Sequence, residues 1–219
     1  MQSPILIEFA GLPAAGKTTT ARNLKRVLSD SGWVVQVIPE PGLRSPLQQR
    51  KREWMFNAWT LCQTVTSVIE ATNGSRSPAD VVILDRGLID AMAWIGWYAD
   101  RGDLTASDAD IATQFALFHS WFDWVRYVFV LIVGYETACE RRQQLRPGQI
   151  VNPDTMRELA AAYTNVSSGL RTQTRPRTYS VDTSDLAADE VLKAVLRMLC
   201  DTGLFNNDGK DNVSLRTAG

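Results

Sequence analysis

The sequence predicts an α/β fold: a parallel five-stranded sheet with helices on both faces and right-handed crossovers. Three observations predict it. Five short apolar or β-branched runs, at Ile5–Phe9, Trp33–Ile38, Val81–Leu84, Tyr127–Val133 and Thr178–Val181, alternate with stretches of helical period. The run Val81-Val82-Ile83-Leu84 is apolar at every position, as a strand covered on both faces must be. The first run passes through a glycine-bearing turn straight into a helix.

Taken in order, Ile5–Phe9 leads into Gly11-Leu12-Pro13-Ala14-Ala15-Gly16-Lys17-Thr18. Lys17 to Asp30 then carries Ala21, Leu24, Val27 and Leu28 at helical spacing, and Ser31-Gly32 stops it. The second strand ends at Pro39-Glu40-Pro41-Gly42, and Arg44, Arg50, Lys51 and Arg52 follow as a basic cluster. A helix is expected from about Glu53 to Ala71, with Trp54, Ala58, Leu61, Val65, Val68 and Thr72 as its buried stripe. Asn73 to Pro78 is a loop, and the third strand ends in Asp85-Arg86-Gly87 before a helix over Leu88 to Tyr98. Thr105 to Asp108 reads as a capping box opening one long helix to about Arg126, carrying Ile111, Phe115, Phe118, His119 and Phe122. His119, the only histidine, has no partnering nucleophile motif and reads as structural. After the fourth strand a helix runs from Gly134 to Leu145. Asn152-Pro153-Asp154 caps another, striped by Met156, Leu159, Tyr163, Val166 and Leu170. Asp182-Thr183-Ser184-Asp185 is expected to cap the last helix. A globular domain over residues 1–202 and a loose tail over 203–219 complete the reading.

The turn after the first strand has the pattern G-x-x-x-x-G-K-T in a strand–loop–helix context, the requirement for a phosphate-binding P-loop. Its four fixed positions recur by chance in about one chain of this length in a hundred, before the flanking elements are demanded. Gly11 and Gly16 let consecutive N–H groups of the loop, through Ala14, Ala15 and Thr19, turn toward phosphate oxygens. The helix N-terminus adds positive potential there. Lys17 can reach the β- and γ-phosphates, and the Thr18 hydroxyl can sit on Mg²⁺. Glu40 and Asp85 are acids at strand ends, the edge where open α/β sheets bind ligands. Asp85 there suits a Mg²⁺-linked or proton-accepting role.

Composition narrows the class. A hydrophobic fraction of 45% and a charged fraction of 21% suit a water-exposed globular protein. A net charge of −1 argues against a general nucleic-acid coat. No apolar run has the length of a membrane span, and the N-terminal residues lack a signal-peptide pattern. Cys62, Cys139 and Cys200, odd in number and far apart, read as reduced thiols in a cytoplasmic protein.

With the P-loop, Glu40-Pro41-Gly42, Asp85-Arg86-Gly87, Glu140-Arg141-Arg142 and Val181-Asp182-Thr183-Ser184 in that order, the chain resembles the thymidylate kinase-like and deoxynucleoside kinase-like P-loop kinases over Ile5 to about Leu199. GTP-switch tetrapeptides are absent. The resemblance implies a three-layer α/β/α P-loop NTPase fold with a small Arg-bearing lid at about 141–153. It also implies ATP and Mg²⁺ as cofactors and transfer of the γ-phosphoryl group to a small-molecule acceptor. In its terms Lys17 neutralises the transferring charge, and Thr18 helps to hold Mg²⁺. Asp85 either orients the acceptor hydroxyl or holds the metal with its water shell, and Arg86 contacts phosphate or substrate. Arg141, with Arg142 or Arg146, closes the lid, and Thr183 and Ser184 lie against adenine. Glu40, Asn57, Gln63 and Arg86 face the acceptor. Relatives are often dimers, so a homodimer is one option.

Two departures leave the acceptor open. The helix after Glu40-Pro41-Gly42 lacks the Asp-Arg pair of thymidylate kinases, and Asp85-Arg86-Gly87 stands where deoxynucleoside kinases show Glu-Arg-Ser. A nucleoside or nucleoside monophosphate is the first expectation. A non-nucleoside alcohol, a polynucleotide 5′ end or a nucleotide-sensing module without transfer are the alternatives.

Overall fold

The computed structural model describes residues 4–73, 79–143, 152–171 and 175–204. Its five strands are β1 (Ile5–Gly11), β2 (Val35–Ile38), β3 (Val81–Asp85), β4 (Val125–Ile132) and β5 (Arg177–Asp182), in the order β2-β3-β1-β4-β5. Every pairing is parallel. The helices are α1 (Lys17–Asp30), α2 (Trp54–Asn73), α3 (Leu88–Asp100), α4 (Ala106–Ala116), α5 (His119–Phe122), α6 (Tyr135–Gln143), α7 (Pro153–Arg171) and α8 (Ala188–Asp201). The expected three-layer α/β/α architecture is the one found.

Strand alternation distributes β1 between the layers. Leu6 joins Val82 and Leu84 against Val68 and Ala71 of α2. Ile7 and Phe9 enter the main core with Ala21, Leu24 and Leu28 of α1. Each such buried aliphatic or aromatic side chain contributes roughly 1.5–3 kcal/mol of transfer free energy. The central position of β1 carries its C-terminal turn to the middle of the sheet edge, with β3 and β4 on either side. Among the helices, α1 packs on α8, while α3 packs on α2, α4 and α7.

Several boundaries differ from the sequence expectation. The long helix to Arg126 is instead α4 and the single turn α5, and β4 begins at Val125. Pairing with β1, through a register shift between Leu6 and Ile7, draws Val125 into the sheet and overrides local helical period. Ile111 is 64% exposed, and Phe115 and Phe118 are also on the surface. The second strand starts at Val35 rather than Trp33. The last helix starts at Ala188, where the Glu190 carboxylate accepts the Ala187 N–H (2.8 Å). Asp182 serves a tighter turn instead, accepting from Ser184 N and Oγ. By contrast Thr105 Oγ1 accepts Asp108 N, and Asn152 Oδ1 accepts Thr155 N, as the capping patterns predict. Most of the expected tail, 205–219, and most of the expected lid, 144–151, lie outside the described residues.

Candidate active site

The turn between β1 and α1 is shaped by backbone angles that glycine favours. Gly11 has φ +130°, and a Cβ on it would lie 2.0 Å from Leu131 O of the adjacent strand. Gly16 has φ +92° and Ala14 φ +61°, so the loop takes left-handed backbone at both positions. Ala14, Ala15, Gly16, Lys17, Thr18 and Thr19 line a cleft of about 1050 Å³; Gly11 lies behind them, outside the lining. Lys17 is 5% exposed, and its Nζ donates to Gly11 O (2.8 Å) and Leu12 O (2.7 Å). Burial, helped by the nearby Arg86, pushes its ammonium pKa down to about 7.

Asp85, at the end of β3, is 3% exposed. Its Oδ2 accepts the Thr18 hydroxyl at 2.6 Å, and its Oδ1 is buried with no partner. Burial raises its carboxyl pKa, against the opposing Thr18 hydrogen bond. An orphaned carboxylate oxygen beside a hydroxyl is a hard-oxygen pair that fits a Mg²⁺ ion. Asp85 stands behind Thr18 rather than on the cleft wall, so direct contact with an acceptor hydroxyl is the less favoured of its two expected roles. No cluster of three or more His, Cys, Asp or Glu side chains suited to a metal occurs among the described residues.

Arg86 has φ +67°, a left-handed conformation unusual for a non-glycine residue. Its N–H donates to Phe9 O (3.0 Å), and Nη1 donates to both Asp90 oxygens (2.9 and 2.8 Å). Nε lies 3.1 Å from Glu40 Oε1, within ion-pair distance but not aligned as a hydrogen bond. Burial works against its charge, yet Asp90 and Glu40 hold the guanidinium pKa well above its ordinary value. Glu40 and Arg86, read separately from sequence, therefore form one unit on the cleft wall.

Sequence reasoning missed three groups here. Asp90 Oδ1 also accepts Gly11 N–H (3.2 Å) and the Tyr163 hydroxyl (2.7 Å), joining β1, α3 and α7. Glu8 is fully buried, accepting Ile89 N–H (3.2 Å) and Asp90 N–H (2.8 Å). Burial raises its carboxyl pKa to about 8, against the lowering effect of those amides. A charged residue in the middle of an otherwise apolar central strand was the available signal.

The expected acceptor side differs from the sequence reading at one position. Asn57, Thr60 and Thr64 of α2 line the cleft with Phe56, Trp94 and Tyr98. Asn57 is buried, its Nδ2 donating to Ala91 O (3.3 Å). Gln63 is exposed and outside the lining: at 3.6 residues per turn it points away, and Thr64 takes the inward place. Arg50, Lys51 and Arg52 edge this half.

The expected adenine side differs too. Thr183 is fully buried, its hydroxyl directed at Ala15 O (3.2 Å) and Ile132 O (3.0 Å), and Ser184 Oγ accepts Gly134 N–H (2.9 Å). Neither lines the cleft, whose wall here is Leu186, Ala187, Ala188 and Val191. Arg141 does line it, yet its guanidinium donates to Ala14 O, Thr183 O and Leu186 O, tying the P-loop to the segment after β5. Arg146 lies outside the described residues, as does the side chain of Arg142. His119 is exposed and away from the cleft. The three cysteines are free thiols, and no described helix is long and apolar enough to cross a membrane.

No family model matches the chain, and no curated protein matches it by sequence. Solved structures do. Deoxyadenosine kinase from M. mycoides, with the products dCMP and a flexible dCDP bound, superposes with a TM-score of 0.68 at 16% identity, over 90% of this chain and 99% of that one. The same enzyme with dATP bound gives 0.66 at 17% identity, over 89% and 99%. Thymidylate kinase from Candida albicans gives 0.62 at 16% identity, over 92% and 93%. At such identities the likeness is one of fold, and the fold is that of the deoxynucleoside and thymidylate kinase-like P-loop group.

Proposed function

We propose that this chain is an ATP-dependent kinase that transfers the γ-phosphoryl group to a nucleoside or nucleoside monophosphate. One observation carries the reading: Lys17 and Thr18 share a single cleft with the Glu40–Arg86 pair, and the cleft is large enough for two nucleotide-sized molecules. The structural neighbours in which nucleotides are bound support it.

The P-loop amides and Lys17 bind the donor phosphates, and Lys17 neutralises charge on the transferring group. Thr18 and Asp85 are the residues that would hold Mg²⁺, which supplies charge compensation on the phosphate oxygens. Arg86, fixed by Asp90, places a permanent positive charge between the two halves of the cleft. Glu40 and Asn57 orient the acceptor, and Phe56, Trp94 and Tyr98 supply apolar surface for a planar ring. The nucleophilic oxygen of the acceptor forms the new P–O bond as the bond to the leaving ADP oxygen breaks, and positioning and charge stabilisation promote the transfer. A monophosphate attacks as its anion, while a hydroxyl acceptor passes its proton to the Glu40 carboxylate on the cleft wall or to solvent. Leu186, Ala187 and Val191 form the apolar wall on the donor side.

ADP release with Mg-ATP over a panel of nucleosides, nucleoside monophosphates and small alcohols tests the reading. Stimulation by a nucleoside or monophosphate is expected. Stimulation by no acceptor, alongside measurable ATP binding, overturns it in favour of a nucleotide-sensing module.

A further inference from the structure

α3 begins without a side-chain cap of its own, because its N-cap residue is Gly87. The amides of its second and third residues, Ile89 and Asp90, nonetheless have acceptors: Glu8 Oε2 at 3.2 Å and Oε1 at 2.8 Å. These are the amides that an N-cap Ser or Asp serves. Glu8 reaches them from β1, some eighty residues earlier in the chain. The space is exclusive. A Cβ on Gly87 would lie 2.5 Å from Glu8 Cδ and 2.5 Å from Oε2. A side chain at 87 would push the Glu8 carboxyl off the Ile89 and Asp90 amides; with glycine at 87, no N-cap side chain serves those amides, and Glu8 does.

We infer that Glu8 is the N-cap of α3 supplied across the fold, and that the Glu8–Gly87 pair is a positioning device for the cleft. The residue it positions is Asp90. Glu8 holds the Asp90 amide, while the Asp90 carboxylate holds Arg86 Nη1, Gly11 N–H and the Tyr163 hydroxyl. Arg86 carries a left-handed backbone that relaxes unless its surroundings over-determine it. Displacing the start of α3 therefore displaces Arg86 and the first amide of the P-loop together. Glu8 is fully buried and does not line the cleft, so it acts through Asp90 and is not a catalytic residue. The groups that face its carboxyl are the amides of Leu88, Ile89 and Asp90 and the Asp90 carboxylate.

The kinetic half of the test rests on the kinase reading above; the thermal half does not. The variants are Glu8→Ala, Glu8→Gln, Gly87→Ser and the double Glu8→Ala/Gly87→Ser. Each single change at 8 or 87 is expected to lower Tm, with Glu8→Gln mildest because its amide oxygen still accepts one N–H. At a temperature well below every Tm, Glu8→Ala should lose roughly ten- to a hundredfold in kcat while KM for ATP changes little, as a small misplacement of a reacting group does. The double variant should recover both Tm and kcat toward wild type. Truncation at position 8 makes room for the new Cβ at position 87, and the introduced hydroxyl can then cap Ile89 and Asp90. Losses that simply add in the double variant, or a Gly87→Ser protein as stable as wild type, overturn the cap. Recovery of Tm without a kcat defect in folded Glu8→Ala overturns the positioning role. If wild type itself turns over no acceptor, the kinase reading has failed and the thermal cycle still decides the cap.

Discussion

The two halves of the cleft are built in opposite ways. The P-loop end is local in its lining: Ala14 to Thr19 are consecutive, shaped by a strand end and a helix start and tied from outside by Arg141 and Asp90. The acceptor half is assembled from the turn after β2, from α2 and from α3, and its wall residues Gly42, Asn57, Thr64 and Trp94 come from distant stretches of chain. A local site tolerates variation elsewhere in the protein. An assembled one changes whenever a helix rotates by one residue, so its lining is the easier of the two to alter.

The largest expected effect lies in the donor half. Lys17→Ala should lower turnover by roughly a hundred- to a thousandfold, the scale of losing one preorganised charge at a reacting centre, with the thermal transition retained. Near-wild-type ADP release in that variant would remove the P-loop from the mechanism. Asp85→Asn comes next. It keeps the shape but leaves Thr18 facing a neutral amide, so turnover should fall by about a hundredfold and ATP affinity by far less. Equal losses in a binding titration and in turnover would place Asp85 in ground-state binding alone.

The seam between the halves is tested by pH. Glu8 ionises near 4.5 when unfolded and near 8 in the fold. Between those values the unfolded chain binds fewer protons, so this group's contribution to stability is full below about pH 4.5 and is lost as pH rises through about 8. The expected loss is on the order of a few kcal/mol. Urea midpoints measured from pH 5 to pH 9 should fall more steeply for wild type than for Glu8→Gln; parallel curves would show that Glu8 does not titrate with folding.

The smallest effects separate neighbours on α2. Asn57→Ala should raise the acceptor KM several-fold and leave the KM for ATP unchanged, the mark of lost uniform binding. Gln63→Ala, on the exposed side, should change neither. A Gln63 effect as large as that of Asn57 would mean that α2 turns in solution.

Legibility followed the same divide. The P-loop was readable because its spacing encodes its shape, and Asp85 because an apolar run points to a strand and its end to the ligand edge. Gln63 is expected on the acceptor side only from the family resemblance. The stripe of Trp54, Leu61 and Val68 leaves it off the buried face but does not say which off-stripe residue meets the cleft, and the structure puts Thr64 there. The resemblance sets Thr183 and Ser184 against adenine, whereas the cleft wall beside them is Leu186, Ala187, Ala188 and Val191, because α8 starts later than the Asp182 to Asp185 cluster suggests. The segment after Thr105 looked helical to Arg126 until sheet pairing claimed Val125.

By itself the sequence determined the alternation of strands and helices, the phosphate loop and the acids that reach the sheet edge. Each of these is a matter of local period, local sterics or chain reach. Tertiary structure alone decided that Glu8 would cap a helix some eighty residues away and that Asp90 would bind the first P-loop amide, Arg86 and Tyr163 at once. Such contacts depend on how elements dock, and a buried polar group takes its partners from whatever the docking brings within hydrogen-bonding distance.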